Sequence, residues 1–217
     1  MQAVLRLTEV FHSIQGEGTY AGFPCLFIRL TGCNLRCSWC DTTYSFHGGT
    51  KVTTDDLLRQ AEQYPHSLIE FTGGEPLLQK ELYPAIELFH AHNRKILIET
   101  SGSLSIEKVP SYVHIVLDMK PPGSGESHKN MVSNLALLKD SDDLKFVIAN
   151  AEDFYWAEEF VMNHPEIRRL KNPAIVQAAF GDFDHAKLAE LVLQSKVPFR
   201  MGMQLHKFIW EPTLTGV

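Results

Sequence analysis

Cysteine is scarce and basic charge is in deficit along these 217 residues: there are four Cys, and 20 Lys plus Arg against 26 Asp plus Glu. Four thiols are too few for a disulfide scaffold at this length. A formal charge of −6 disfavours a nucleic-acid backbone as partner, because phosphate binding is driven by concentrated Lys and Arg, and no basic patch with interleaved aromatics stands out. No apolar run approaches the roughly 18 residues of a membrane span. Residues 1–10 carry Arg6 and Glu9 and lack the apolar stretch of a secretory leader, so a soluble, cytoplasmic protein without membrane contact is expected. No Gly/Ser/Pro-rich linker, internal repeat or low-complexity segment divides the chain. A single domain over 1–217 is expected, with a hydrophobic content of 44% sufficient for one sizeable core.

Short apolar or β-branched runs predict strands at about 24–31, 67–72, 95–100, 113–119, 143–149, 174–179 and 199–205, in the manner of buried parallel strands. Helical spacing falls between most of them. Thr53 with Asp56 predicts a capped helix through Leu57, Leu58 and Ala61 that stops near Pro65, and further stripes begin near Leu82, Phe154 and Leu188. Alternating strands and helices imply an α/β fold with a parallel sheet, and the chain is short of the roughly 250 residues of a closed eight-unit barrel. An open, partial TIM-like βα barrel of six or seven mostly parallel strands is the expected architecture. Chemistry in such folds gathers at the carboxyl ends of the strands.

Polar clusters sit at those ends. The run at Ile69 and Phe71 leads into Thr72-Gly73-Gly74-Glu75-Pro76, that at Ile96 and Ile98 into Glu99-Thr100-Ser101-Gly102, and that at Ile115 and Leu117 into Asp118-Met119-Lys120. Gln177-Ala178-Ala179-Phe180 and Gln204-Leu205-His206-Lys207 follow later runs. After the first predicted strand come Cys33, Cys37 and Cys40, three thiols in eight residues. Structural zinc and ordinary iron–sulfur clusters take four protein ligands, so three thiolates on a four-iron cluster leave one iron open to a reacting molecule. Cys25, in an apolar run, reads as a small buried hydrophobe. Two glycines at a strand end permit close backbone approach to a ligand, and Glu75 offers an acceptor beside them.

The C-x3-C-x2-C loop followed by Gly73-Gly74-Glu75-Pro76 resembles the radical S-adenosylmethionine (AdoMet) enzymes. That resemblance implies a 4Fe-4S cluster on Cys33, Cys37 and Cys40, with AdoMet chelated to the open iron. A narrower resemblance, to the 7-carboxy-7-deazaguanine synthase family of queuosine biosynthesis, rests on Ile14-Gln15-Gly16-Glu17-Gly18, Phe27-Ile28-Arg29-Leu30, Trp39-Cys40-Asp41-Thr42 and Gln204-Leu205-His206-Lys207. It implies a lyase that uses AdoMet and Mg2+ to contract the ring of 6-carboxy-5,6,7,8-tetrahydropterin, giving 7-carboxy-7-deazaguanine and ammonia.

The resemblance also implies residue roles. Ile14, Gln15, Gly16, Arg29, Thr72, His206 and the terminal Val217 are expected to contact the pterin, with Arg29 pairing its carboxylate through the planar guanidinium fork. Thr42 is expected to bind Mg2+, a hard cation suited to a hydroxyl oxygen. Ser38, Trp39, Cys40, Gly74, Glu75, Ser101, Asp118, Met119, Lys120, Gln177, Ala178, Ala179 and Phe180 are expected to line AdoMet. Two departures from the family pattern are Asp118, where many relatives have serine, and Ala178, where a proline is usual. No residue is assigned as general acid or base. An electron donor such as a flavodoxin or ferredoxin, and a homodimer, are the expected partners. The thiol loop and glycine turn alone also fit a glycyl-radical activase. A plain electron carrier would normally have a fourth cysteine ligand, and a structural zinc module would need Cys25 or His47 as its fourth ligand.

Overall fold

The computed structural model describes residues 3–211 and 214–216, and Val217 lies outside them. Seven parallel strands form the body of one sheet: β2 (Pro24–Leu30), β4 (Leu68–Gly73), β5 (Ile96–Thr100), β6 (His114–Met119), β7 (Asp143–Ile148), β8 (Ala174–Ala178) and β9 (Phe199–Gly202). Two antiparallel strands, β1 (Val4–Ile14) and β3 (Thr50–Thr53), complete it on one side. The order is β3-β1-β2-β4-β5-β6-β7-β8-β9, an open sheet with β3 and β9 at its edges. The parallel strands match the expected runs, except that β9 stops at Gly202, short of the expected residue 205. Residues 206–209 instead form a short helix, α5 (His206–Ile209).

β1 was not foreseen because its pattern is that of a half-exposed strand: Arg6, Thr8, Glu9 and His12 alternate with apolar residues. A bulge between Leu7 and Glu9 also breaks the alternation. The helices α1 (Thr54–Ala61), α2 (Leu82–Ala91), α3 (Ala151–Asn163) and α4 (His185–Leu193) fall where helical spacing predicts them, although α1 ends before Pro65. The Thr53 side chain accepts from the Asp56 amide, as the capping pattern implies. Thr53→Ala is expected to cost about 1 kcal/mol in urea denaturation, the usual value of a lost N-cap; an unchanged midpoint would show that the cap contributes nothing.

Successive strand residues point to opposite faces, so each strand carries two different environments. On the helix side, Ile28, Ile69, Phe71, Ile98, Leu117, Phe146 and Val176 join Phe89, Phe154 and Leu188 in the main core, all essentially shielded from water. The inner side begins at the amino ends of the strands with a small apolar cluster of Cys25, Phe27, Leu68 and Leu97. Cys25 is fully buried there, and burial pushes its thiol far up. Above this floor the inner positions turn polar: Arg29, Glu70, Thr72, Glu99, Asp118, Lys145 and Gln177. That change is what makes the carboxyl end of the sheet a site.

Candidate active site

A cleft of about 440 Å³ opens at the carboxyl ends of the parallel strands. Cys33, Cys37 and Cys40 line it from the loop after β2. The buried Leu35 anchors that loop, and Ser38 ties it to the turn after β6: its amide donates to Ser124 O (3.1 Å) and its hydroxyl to Gly123 O (2.8 Å). Burial pushes all three thiols up, Cys37 to about 11, so metal binding must displace their protons. Among the described residues no three His, Cys, Asp or Glu side chains are gathered tightly enough to hold a metal ion. Cys25 sits at the amino end of β2, away from this loop, and is no candidate for a fourth ligand.

The Gly-Gly turn after β4 serves the thiol loop directly. A Cβ on Gly74 would lie 2.6 Å from Cys33 Cβ and still closer to Gly32 O, while the Glu75 amide donates to Gly32 O at 2.9 Å. Gly73, at φ +147°, presses likewise on the Leu30 backbone. These glycines therefore permit close packing of two loops, beyond any approach to a ligand. Glu75 is fully buried, and its two oxygens accept four donors: Leu77 N (3.0 Å), Thr100 Oγ1 (2.8 Å), Ser101 N (2.9 Å) and Ser101 Oγ (2.6 Å). A carboxylate has about four lone-pair sites, so Glu75 is a tether between β4 and β5 and not the open acceptor expected from sequence.

A charged network fills the inner face below. Lys145, 3% exposed, reaches Glu17 (2.6 Å), Asp118 (3.6 Å) and Glu99. Lys120 pairs with Asp118 at 2.9 Å. Glu17 also accepts from Gln177 and Gln204, each at 3.0 Å. Burial alone would raise its pKa, but Lys145, with help from the Gln204 amide, outweighs burial and holds it near 2. Burial raises the Glu70 pKa well above the ordinary carboxylate range, aided by the charges of Glu99 and Glu17, and Gln15 Nε2 donates to its carboxyl oxygen.

Because the folded value of Glu17 lies below its unfolded one, its stabilising contribution is present above about pH 4.5 and is lost as pH falls toward 2. Urea denaturation across that window is expected to give a steeper loss for wild type than for Glu17→Gln, which has no proton to take up. Parallel profiles would overturn this assignment.

Gln15 is 4% exposed and bound within the protein, since its Oε1 also accepts from the Glu17 amide at 3.0 Å. Gly16 packs against His206: a Cβ there would strike the imidazole, and the Leu205 amide donates to Gly16 O at 3.1 Å. His206 thus opens α5 instead of ending a strand. Burial lowers its pKa, with Glu17 opposing, so the ring is neutral near pH 7 and has one donor and one acceptor nitrogen.

Arg29 Nε donates to Glu9 at 2.7 Å, and its two Nη groups have no protein partner among the described residues. Burial opposes the charge, but Tyr44 and Glu9 more than offset this and raise its pKa further. Thr42 lies at the rim, its hydroxyl donating to Asp41 Oδ1 at 2.7 Å.

Of the expected site residues, Ile14, Gln15, Arg29, Thr42, Thr72 and His206 line the cleft with the three cysteines, as do Trp39, Gly74, Ser101, Asp118, Lys120, Gln177, Ala179 and Phe180. Gly16 and Glu75 are buried behind the lining, and Ser38 is exposed outside it, bound to the turn after β6. The Met119 and Ala178 side chains lie in the helix-side core, so contact with AdoMet there would be through their backbone. Val217 is outside the described residues. Sequence reasoning passed over Lys145, Glu70 and Tyr44, and left Glu17 without a role. The available signal was an ionisable residue inside an otherwise apolar strand, as in Leu144-Lys145-Phe146 and Ile69-Glu70-Phe71.

An open βα sheet with three thiols and a glycine turn at its carboxyl end defines the class of radical AdoMet enzymes. In agreement, the family profile described as Radical SAM superfamily matches residues 27–119. The 7-carboxy-7-deazaguanine synthase of Koribacter versatilis is 41% identical, covering 98% of this chain and all of its own. That of Chlorobaculum tepidum is 36% identical over all of this chain and 99% of its own. The chain belongs to the 7-carboxy-7-deazaguanine synthase family. The crystal structure of QueE from Escherichia coli shares the fold, with a TM-score of 0.72 at 21% identity, covering 93% of this chain and 94% of that one. Streptococcus suis SuiB bound to S-adenosylmethionine is more distant, with a TM-score of 0.56 at 14% identity, covering 80% of this chain and 45% of that one.

Proposed function

We propose that this chain converts 6-carboxy-5,6,7,8-tetrahydropterin to 7-carboxy-7-deazaguanine with release of ammonia, in 7-deazapurine biosynthesis, using a 4Fe-4S cluster, AdoMet and Mg2+. The observation that carries the reading is the meeting, in one cleft, of three thiols with an arginine whose Nη groups have no partner among the described residues. The donor sets fit the groups. Three cysteines with no fourth nearby suit a cluster with one open iron. Two buried oxygens of this lining, Asp118 Oδ1 and Gln177 Oε1, have no partner among the described residues, and the hydroxyl and amino groups of AdoMet are donors of the kind they lack. Thr42 and Asp41 are hard oxygen donors of the type Mg2+ prefers.

When bound, the cluster and AdoMet supply the one-electron chemistry that removes and returns a hydrogen at C6 of the pterin. The chain's own residues orient and enclose. Arg29 takes the substrate carboxylate, neutral His206 and Thr72 contact the ring system, and Asp118, Gln177 and the backbone after β6 and β8 hold AdoMet. The Glu17–Lys145 network keeps the wall charged and rigid without reorganising during reaction. Among the described residues no helix is long and apolar enough to cross a membrane. The reading includes a single domain acting in the cytoplasm, as a homodimer reduced by a flavodoxin- or ferredoxin-type donor. Anaerobic reconstitution with iron and sulfide, followed by assay with the carboxytetrahydropterin, AdoMet, Mg2+ and dithionite, is expected to yield the deazapurine. Cleavage of AdoMet without deazapurine would overturn the substrate assignment and favour another radical AdoMet reaction.

A further inference from the structure

We propose that Glu9 is a specificity-determining positioning residue that sets the guanidinium of Arg29 for the substrate carboxylate and links it to the loop carrying Thr42. This inference rests on the functional reading above and assigns a role to a residue that does not itself line the cleft.

The strand pairing places Glu9 there. Leu7 of β1 pairs with Leu30 of β2, but the next pair is Glu9 with Arg29, because the bulge inserts Thr8. Regular pairing would set Thr8 opposite Arg29 and carry Glu9 to the far face, since side chains alternate along a strand. One extra residue therefore re-aims a carboxylate toward the arginine. The displaced Thr8 bonds Thr31 instead, at 2.8 Å between hydroxyl oxygens.

Glu9 Oε1 then accepts two donors, Arg29 Nε at 2.7 Å and the Tyr44 hydroxyl at 2.9 Å. Phe11 lies beneath the guanidinium, 5.7 Å from its centre, and limits rotation. Binding through Nε leaves both Nη groups for another acceptor, and they are the edge that grips a carboxylate end-on. Glu9 is not among the residues that line the cleft, and Gly216 lies near its other oxygen: a Cβ at that glycine would lie 3.7 Å from Oε2. It thus holds Arg29 without competing at the Nη edge.

Tyr44 extends the device. It belongs to the turn Thr43–Ser45, whose preceding residue is Thr42, and Ser45 Oγ donates to Thr42 O at 2.8 Å. One carboxylate oxygen therefore fixes the geometry between the carboxylate-binding arginine and the proposed Mg2+ ligand.

The test compares reconstituted wild type, Glu9→Gln and Glu9→Leu in steady-state turnover of the carboxytetrahydropterin and in binding of a tetrahydropterin lacking the carboxylate. Glu9→Leu is expected to raise KM about 10- to 100-fold, the scale of one hydrogen bond to a charged group, with kcat within about threefold. Glu9→Gln keeps an acceptor oxygen and is expected to stay within about threefold of wild-type KM. Affinity for the carboxylate-free pterin is expected to be unchanged in both. Iron content and circular dichroism identify a variant that fails to fold; in that event Tyr44→Phe, which removes only one donor to Glu9, is expected to raise KM with kcat retained. The inference is overturned if wild type turns over while Glu9→Leu, or in its place Tyr44→Phe, keeps wild-type KM. It is also overturned if KM falls, as loss of a competing negative charge would produce, or if affinity for the two pterins weakens equally. No turnover by loaded wild type would overturn the functional reading itself.

Discussion

Replacing Lys145 with methionine is expected to lower the unfolding free energy at pH 7.5 by about 3–5 kcal/mol, the usual cost of removing one partner from a buried ion pair. Methionine fills a similar volume, so the loss is electrostatic and not a cavity. Lys145 faces Glu17, Glu99 and Asp118, and without it these carboxylates remain on the inner face with one fewer cation to balance them. Lys120 is already committed to Asp118. Glu17, held near pKa 2 by Lys145, would lose that hold and take up a proton at a higher pH. The gap between wild type and variant is therefore expected to narrow as pH is lowered to about 5, because a protonated carboxyl no longer carries an unbalanced charge. Urea denaturation at both pH values measures this directly. Combining Lys145→Met with Glu17→Gln and Glu99→Gln should recover much of the stability, since no charge is then left unpaired. A gap that is independent of pH would mean that packing, and not charge, is what Lys145 contributes.

Gly74→Ala is expected to reduce turnover about 10²-fold, the effect of displacing reacting groups by roughly an ångström. It should also lower the iron bound per chain on reconstitution while leaving the helical signal of the fold intact. The backbone at Gly74 is not in the left-handed region, so the damage arises from contact and not from torsional strain. A methyl group there meets Cys33 Cβ and the carbonyl of Gly32, neither of which is the yielding end of a long side chain. Either the turn lifts, breaking the bond from the Glu75 amide to Gly32 O, or the first cysteine moves. Full iron content with wild-type turnover would show that this turn does not seat the thiol loop.

The cysteine spacing, the glycine turn and the apolar runs of the parallel strands were legible because each depends on local chemistry: ligand number, backbone freedom and strand-length hydrophobicity. Glu75 was misjudged as an open acceptor because nothing in Gly73-Gly74-Glu75-Pro76 reveals that Thr100 and Ser101, at the end of the next strand and just beyond it, occupy its oxygens. That the Met119 and Ala178 side chains lie in the core was hidden for a related reason. Adjacent residues of a strand face opposite ways, and which of Asp118 and Met119 looks inward depends on the side that the helices cover.

By itself, then, the sequence determined that this is an α/β chain with three thiols at a strand end and a glycine turn beyond the next strand. Tertiary structure alone decided that Glu17, Glu99, Asp118 and Lys145, spread over 129 positions of sequence numbering from 17 to 145, share one inner wall. It alone decided, too, that a single bulged residue turns Glu9 toward Arg29. The physical reason is common to both: charge pairing and strand register act between segments remote in the chain, and spacing along one segment carries no record of its partner.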